Sequence, residues 1–177
     1  MNIMSIDCEF NQPSTLTIQI GCAVYSVRSG ELLEKWETYV DPGEPILPFI
    51  TELTGITDAD VKGAPKIKEA YMRLKEIHKK HKCFMNPLVW GSGVRNDSLS
   101  IYEESGVQEP NFMGYRVLDA KTVYQSKMMF QNNEIRGGLK KACDNMGIGF
   151  EGTAHTAFAD AINTFRLWHH LMGKFQK

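Results

Sequence analysis

The sequence predicts an α/β protein built on a mixed five-stranded sheet flanked by helices, antiparallel at one end and parallel at the other. Two observations carry this. Three strand-like segments come first, and strands then alternate with helix-like segments. The apolar pattern also changes period along the chain, from alternation near the N-terminus to helical spacing beyond residue 66.

Residues 2–9 predict a strand with Ser5, Asp7 and Glu9 on one face and Met4, Ile6 and Cys8 on the other. Residues 16–27 predict a second strand and residues 32–40 a third. The turn Arg28-Ser29-Gly30-Glu31 between them makes a hairpin. From Asp41 to Pro65 the chain carries Pro42, Pro45, Pro48 and Pro65, which predicts irregular structure with one short helix at most; long loops of this kind are often functional. Ile67, Ala70, Tyr71, Leu74 and Ile77 have helical spacing, so a helix is expected over 66–80. A strand is expected at 83–90, a short helix at 97–104 and a fifth strand at 115–118. Helices follow near 119–128, 137–146 and 156–173. The last is the best patterned, with Phe158, Ala161, Ile162, Phe165, Trp168 and Met172 on one face.

The 177 residues suit one domain spanning 1–177, long enough to bury a core. Hydrophobic residues at 42% and charged residues at 23% are those of an ordinary globular chain. The formal net charge of −1 does not announce a nucleic-acid binder. An enzyme that gathers carboxylates around metal ions, however, offsets its own basic patches. Cys8, Cys22, Cys83 and Cys143 lack C-x-x-C spacing, and free thiols in a reducing cytosol are expected. No signal peptide is expected in Met1–Asp7, and no stretch has the ~20 apolar residues of a membrane span. The expected location is cytoplasmic, with no membrane partner.

Three acidic features bear on chemistry. Asp7-Cys8-Glu9 places two acids at i and i+2 on one strand face, where a divalent cation is the usual remedy for their repulsion. Two solvated acids at a strand end would look the same. The apolar flank Ile3-Met4-Ser5-Ile6 favours a buried strand, where unpaired acids are costly. His155 precedes Asp160 by five positions. On one continuous helix that puts their side chains roughly 140° apart, so a shared site needs His155 on the preceding loop or first turn. A helix-start histidine with a surface aspartate is the plain alternative. In the run Leu88 to Asp97 an apolar strand leads into a Gly-rich turn and then an acid at a helix start. Asn96 or Asp97 there can be a helix cap, or Asp97 a third carboxylate at a strand's carboxyl end.

Together these residues resemble the DEDDh family of 3′–5′ exonucleases, whose signature is Asp-x-Glu, then Asp, then His-x-x-x-x-Asp. Asp7, Glu9, Asp97, His155 and Asp160 match it one by one. Leu53-Thr54-Gly55-Ile56-Thr57 with Gly63-Ala64-Pro65, and Gly138-Leu139-Lys140-Lys141-Ala142-Cys143, resemble further family segments. Trp90-Gly91-Ser92-Gly93 and Arg116-Val117-Leu118-Asp119 resemble the exodeoxyribonuclease VIII-like and ribonuclease T-like branch. Phe10 and Asn96 depart from the usual Thr and Phe at those positions, and neither change removes an acid.

The resemblance implies a ribonuclease H-like fold and two-metal hydrolysis with Mg²⁺ or Mn²⁺. Asp7, Glu9 and Asp160 would hold one ion and Asp7 and Asp97 a second. His155 would be the general base, a role suited to a side chain that exchanges protons near neutral pH. The implied partner is a nucleic acid with a free 3′ end, DNA or RNA, released one nucleoside 5′-monophosphate at a time. Leu53, Thr54 and Gly55 would line the end-binding pocket. Phe10 would stack on a base, or else pack under the strand end. Members of the family are often homodimers. The alternatives are a catalytically inactive binding module on the same fold, a ribonuclease H-type endonuclease, and an interaction domain with scattered surface acids. Lys66, Lys68, Arg73, Lys75, Lys79, Lys80 and Lys82 are expected to solvate a helix rather than to track a phosphate backbone, and His78, His81, His169 and His170 to be surface or packing residues.

Overall fold

The computed structural model describes residues 1–91 and 96–173. In chain order the elements are β1 (Asn2–Phe10), β2 (Thr17–Ser26), β3 (Leu32–Tyr39), α1 (Pro48–Thr54), α2 (Asp58–Val61), α3 (Ile67–Lys80), β4 (Leu88–Val89), α4 (Asp97–Ser105), β5 (Leu118–Asp119), α5 (Ala120–Phe130), α6 (Leu139–Asn145) and α7 (Ala157–Gly173). Five strands form one sheet in the order β3-β2-β1-β4-β5. β1 pairs antiparallel with β2, and β2 with β3; β1–β4 and β4–β5 are parallel. This is the mixed sheet that the order of segments predicts.

Period-2 alternation sorts β1 onto two faces. Met4, Ile6 and Cys8 join Ile20, Cys22 and Val24 of β2 beneath Ala70, Tyr71, Leu74 and Ile77 of α3 and Ile101 of α4. On the other face Ile3, Ala23, Tyr25, Leu88 and Ala120 meet Phe165 of α7. The Tyr25 and Phe165 rings stack there with centroids 3.8 Å apart. The sheet is thus covered by α3 and α4 on one face and by α7 on the other.

The boundaries differ from the sequence pattern in three places. Pairing in the 83–90 segment is interrupted: Cys83 bridges to Asn2, and regular pairing resumes only at Leu88. Pro87, which has no N–H to give a ladder, stands just before it. The fifth strand lies at Leu118–Asp119 rather than at 115–118. The 41–65 region holds two short helices. Pro48 sits in the first turn of α1, where its missing N–H costs nothing, and Thr57 with Asp60 forms a capping box on α2. Ser92 and Gly93 of the Trp90-Gly91-Ser92-Gly93 motif lie outside the described residues.

The basic run on α3 is largely spoken for. Arg73 and Lys80 pair with Glu34 of β3, Lys75 pairs with Glu109, and Lys66 with Asp41. His81 also pairs with Glu34. It therefore has the acidic partner that sequence spacing does not show, because Glu34 comes from a distant strand. The four cysteines are free thiols, and Cys8, Cys22 and Cys143 are buried. No helix among the described residues is long and apolar enough to cross a membrane.

The approach of α7 to the sheet rests on β2. Gly21 lies directly opposite Asp7, so both face α7. A Cβ on Gly21 would stand 2.3 Å from the backbone of Ala157 and Phe158. Beside it, buried Gln19 accepts a hydrogen bond from the Ala157 N–H at 3.0 Å, which satisfies an otherwise orphaned donor at the helix start. Ser5 Oγ donates to the Ala161 carbonyl at 2.7 Å. Gly21→Ala should therefore push the start of α7 off the sheet. We expect a cost of about 2–3 kcal/mol, which is a fall in Tm of roughly 4–12 °C for a domain of this size. Calorimetry checks this; an unchanged Tm would contradict the tight contact.

Candidate active site

Asp7 and Glu9 occupy the carboxyl end of β1 on the face that meets α7. Asp160 comes from the first turn of α7, held down by Gln19, Gly21 and Ser5. One carboxylate oxygen from each of Asp7, Glu9 and Asp160 lies within 4.8 Å of the others. Asp97 lies outside this set and approaches from the opposite face, at the start of α4. The choice of helix cap is settled by geometry. Asn96 Oδ1 accepts from the Leu99 N–H at 3.0 Å, and Asp97 is left to accept from the Cys8 N–H at 3.2 Å. The strand end is thus gripped between two helices that come from opposite faces of the sheet.

The electrostatics are those of like charges out of water. Burial raises the Asp7 carboxyl well above its ordinary range, and Asp97, Asp160 and Glu9 raise it further. Burial, then Asp160 and Asp97, push Glu9 up to about 7. Burial likewise pushes Asp97 up to about 7, against the Cys8 hydrogen bond. Asp160 is raised by burial and partly relieved by the His155 side chain and backbone amide. Asp160 Oδ1 is buried and has no hydrogen-bond partner among the described residues. A buried acceptor in that state costs about 1–3 kcal/mol. Three convergent carboxylates with an orphaned oxygen fit a hard divalent cation such as Mg²⁺ or Mn²⁺.

His155 precedes α7 by two residues and has φ of 63°, a left-handed conformation uncommon outside glycine. That turn keeps it off the helix, which five-residue spacing requires if it is to share a site with Asp160. Both line one open cavity of about 380 Å³, together with Lys140, Lys141 and Asp144.

Leu53, Thr54 and Gly55 end α1. Leu53 is 54% exposed, and Gly55 takes φ of 79° as the helix cap. Nothing lies within 4 Å of a Cβ placed on Gly55, so the glycine serves backbone conformation rather than a tight contact. Buried Asn11 ties the start of this helix to the site. Its amide donates to Glu44 and the Pro45 carbonyl, and its carbonyl oxygen accepts from the Leu47 N–H, two residues beyond Glu9 in β1. Phe10 is half-buried and packs against the α3–α4 core.

Several positioning residues escape the sequence pattern. Glu104 of α4 accepts from the Thr17 N–H and hydroxyl and so latches the Asp97 helix to β2. Asp119 accepts from the Gly91 N–H at 3.1 Å, just beyond β4. Gly21 did carry a signal: a glycine inside an apolar strand marks a close backbone approach. Gln19 and Glu104 carried none, since each acts on a partner far along the chain.

The exonuclease family model RNase_T matches residues 4–168. The chain belongs to this exonuclease family. Its structure is also similar to that of the nuclease domain of 3′hExo, a DEDDh family member bound to rAMP, with a TM-score of 0.81 at 18% identity over 98% of this chain and 92% of that one. It is similar to cell-death related nuclease 4, with a TM-score of 0.82 at 14% identity over 98% of this chain and 64% of that one. For E. coli exonuclease I in complex with a dT13 oligonucleotide the TM-score is 0.74 at 16% identity, over 95% and 40% of the two chains. These likenesses establish the ribonuclease H-like exonuclease fold. Among sequence relatives, the PolC-type DNA polymerase III of Streptococcus thermophilus is 29% identical over 84% of this chain. The chain spans 9% of that polymerase's length.

The raised carboxyls make metal-free stability depend on pH. They bind protons more tightly folded than unfolded, so their favourable contribution is full below about pH 4 and is lost as pH rises toward about 7. Glu34, lowered by its hydrogen bonds to Lys80 and His81, acts in the opposite sense, but only below about pH 4. In chelator, Tm should rise as pH is lowered from about 7.5 to about 5. Mn²⁺ should raise Tm at the upper pH, and Asp160→Asn should remove most of that gain. A Tm indifferent to both pH and Mn²⁺ would mean that the acids are merely solvated.

Proposed function

We propose that the chain is a single catalytic domain acting as a 3′–5′ exonuclease on single-stranded DNA or RNA. The observation that carries this is the group of three carboxylates within 4.8 Å at a strand end, beside a cavity lined by His155. Asp7, Glu9 and Asp160 would hold one divalent ion, and Asp7 with Asp97 a second. Such ions, when bound, neutralise charge on the phosphate and ease loss of the leaving oxygen.

The chain's own residues supply the rest. His155 takes a proton from the water that attacks phosphorus, and its place off the helix leaves it free to face the same space as Asp160. The P–O3′ bond breaks, the terminal nucleotide leaves as a nucleoside 5′-monophosphate, and the shortened strand keeps a 3′-hydroxyl. Asp97 reaches the strand end from the start of α4, and His155 from the loop before α7. Leu53, Thr54 and Gly55 would receive the terminal nucleotide. That 3′hExo is bound to rAMP and exonuclease I to an oligonucleotide supports a nucleic-acid substrate for this chain.

The test is a gel assay of 5′-labelled single-stranded DNA and RNA with Mg²⁺, Mn²⁺ or chelator. A ladder that shortens from the 3′ end and disappears in chelator is expected. His155→Ala should lower kcat by about 10²- to 10⁴-fold while circular dichroism shows the fold retained. Asp7→Asn should abolish turnover and yet raise Tm in chelator, because it removes one of the repelling acids. Internal cuts, or full activity in either variant, would contradict these assignments.

A further inference from the structure

We infer that Asn163 and Arg166 of α7 are positioning residues for His155: they clamp the arch of chain over residues 148–151 and so set where the histidine at its far end stands. This rests on the reading of His155 as general base and adds what holds that base in place.

The arch joins α6 to α7 and has little structure of its own. Gly147, Gly149, Gly152 and His155 all take positive φ, so the chain there neither continues a helix nor runs as a strand. Over residues 149–152 no backbone group bonds to another backbone group among the described residues. Amides and carbonyls in that position need partners from elsewhere, and α7 supplies them. Arg166 Nη1 donates to the Gly149 carbonyl at 3.1 Å and Nη2 to the Ile148 carbonyl at 3.0 Å, a two-pronged grip that uses the planar guanidinium fork. Nη2 also pairs with the Glu151 carboxylate at 3.0 Å. Asn163 treats Glu151 as a neighbouring strand would. Its Oδ1 accepts from the Glu151 N–H at 3.0 Å, and its Nδ2 donates to the Glu151 carbonyl at 2.8 Å.

Asn163 is wholly buried in mid-helix, where an asparagine is disfavoured by propensity and must pair its whole amide. Its second N–H goes to the Ala159 carbonyl at 2.8 Å, and its oxygen also accepts from Arg166 Nη1 at 2.7 Å. All four of its hydrogen-bonding positions are filled, and the two side chains are locked to each other. The far end of the arch is fixed on the same helix. A Cβ on Gly152 would stand 3.1 Å from that of Ala159, and Thr156 Oγ1 donates to the Thr153 carbonyl at 2.8 Å. The His155 backbone amide then meets Asp160. One helix therefore carries both the acid of the proposed metal site and the clamp that sets His155 relative to it. Neither Asn163 nor Arg166 lines the cavity shared by His155 and Asp160, so they act through the arch.

Arg166→Lys keeps the charge and loses the fork; Asn163→Leu keeps the volume and loses the grip on Glu151. On a 5′-labelled single-stranded oligonucleotide with Mn²⁺, each should lower kcat by roughly 10- to 100-fold, the usual scale for a misplaced reacting group. KM should barely move, because neither residue meets the substrate. The deciding measurement repeats each change in a His155→Ala background. A residue that acts only through His155 has nothing left to lose there, so each double variant should turn over at the rate of His155→Ala alone. Equal losses in both backgrounds, as a general loosening of the fold would give, or full kcat in both single variants, would overturn the clamp while leaving the exonuclease intact. Should Asn163→Leu fail to fold, Arg166→Lys decides, since that side chain is 26% exposed and outside the core. Full activity of His155→Ala, or no cleavage by the unaltered protein, would instead overturn the general-base reading beneath it.

Discussion

Everything at this site follows from holding acids together out of water. Asp7 and Glu9 are two residues apart on one strand face, and Asp160 is brought to within 4.8 Å of them. Among the described residues, the charged groups that perturb Asp7 and Glu9 are all carboxylates, and all raise them. The rest of the fold has to supply the force that keeps them there. Burial of α7 against the sheet opposes that repulsion, through the Tyr25–Phe165 stack and the apolar residues around it. The hydrogen bonds from Ser5 and to Gln19 then fix the helix in register. A divalent ion would turn this stored repulsion into binding energy, which gives the arrangement a chemical purpose that a structural acid cluster does not have.

The two faces of the sheet divide the labour. On the α7 face, Gly21 lets the helix start approach the strand, and that approach sets where Asp160 and His155 stand. On the α3–α4 face, Asp97 reaches the Cys8 amide, while Glu104 ties the same helix to Thr17. β1 runs between them with its acids at the carboxyl end, the usual place for a site in an open α/β sheet. His155, left-handed, stands two residues before α7 and lines one cavity with Asp160.

Much of this was legible in the sequence because it is encoded locally. The alternation in β1 and β2 and the helical stripe of α7 gave the architecture and the sheet's mixed character. The Asp7-x-Glu9 spacing put two acids on one strand face, and the five-residue gap before Asp160 placed His155 ahead of the helix if the two share a site; the structure has His155 two residues before α7. What stayed hidden depends on contacts between distant segments. The Glu34 partner of His81, the Glu104–Thr17 latch and the Asn11 tether of α1 each join residues more than 30 positions apart. The shortening of the strand near Leu88 reflects Pro87 interrupting a ladder, which periodicity alone overlooks. The basic run on α3 likewise becomes a set of ion pairs only when β3 is placed beside it.

The central claim is that the carboxylates at the end of β1 are a binding site for divalent ions. It is tested most directly by counting bound Mn²⁺ with electron paramagnetic resonance, in the presence of a nucleoside 5′-monophosphate, for the unaltered protein and for Asp160→Asn. The account predicts two ions per chain and a large loss of affinity in the variant. No binding above background, or binding that Asp160→Asn leaves unchanged, would contradict it.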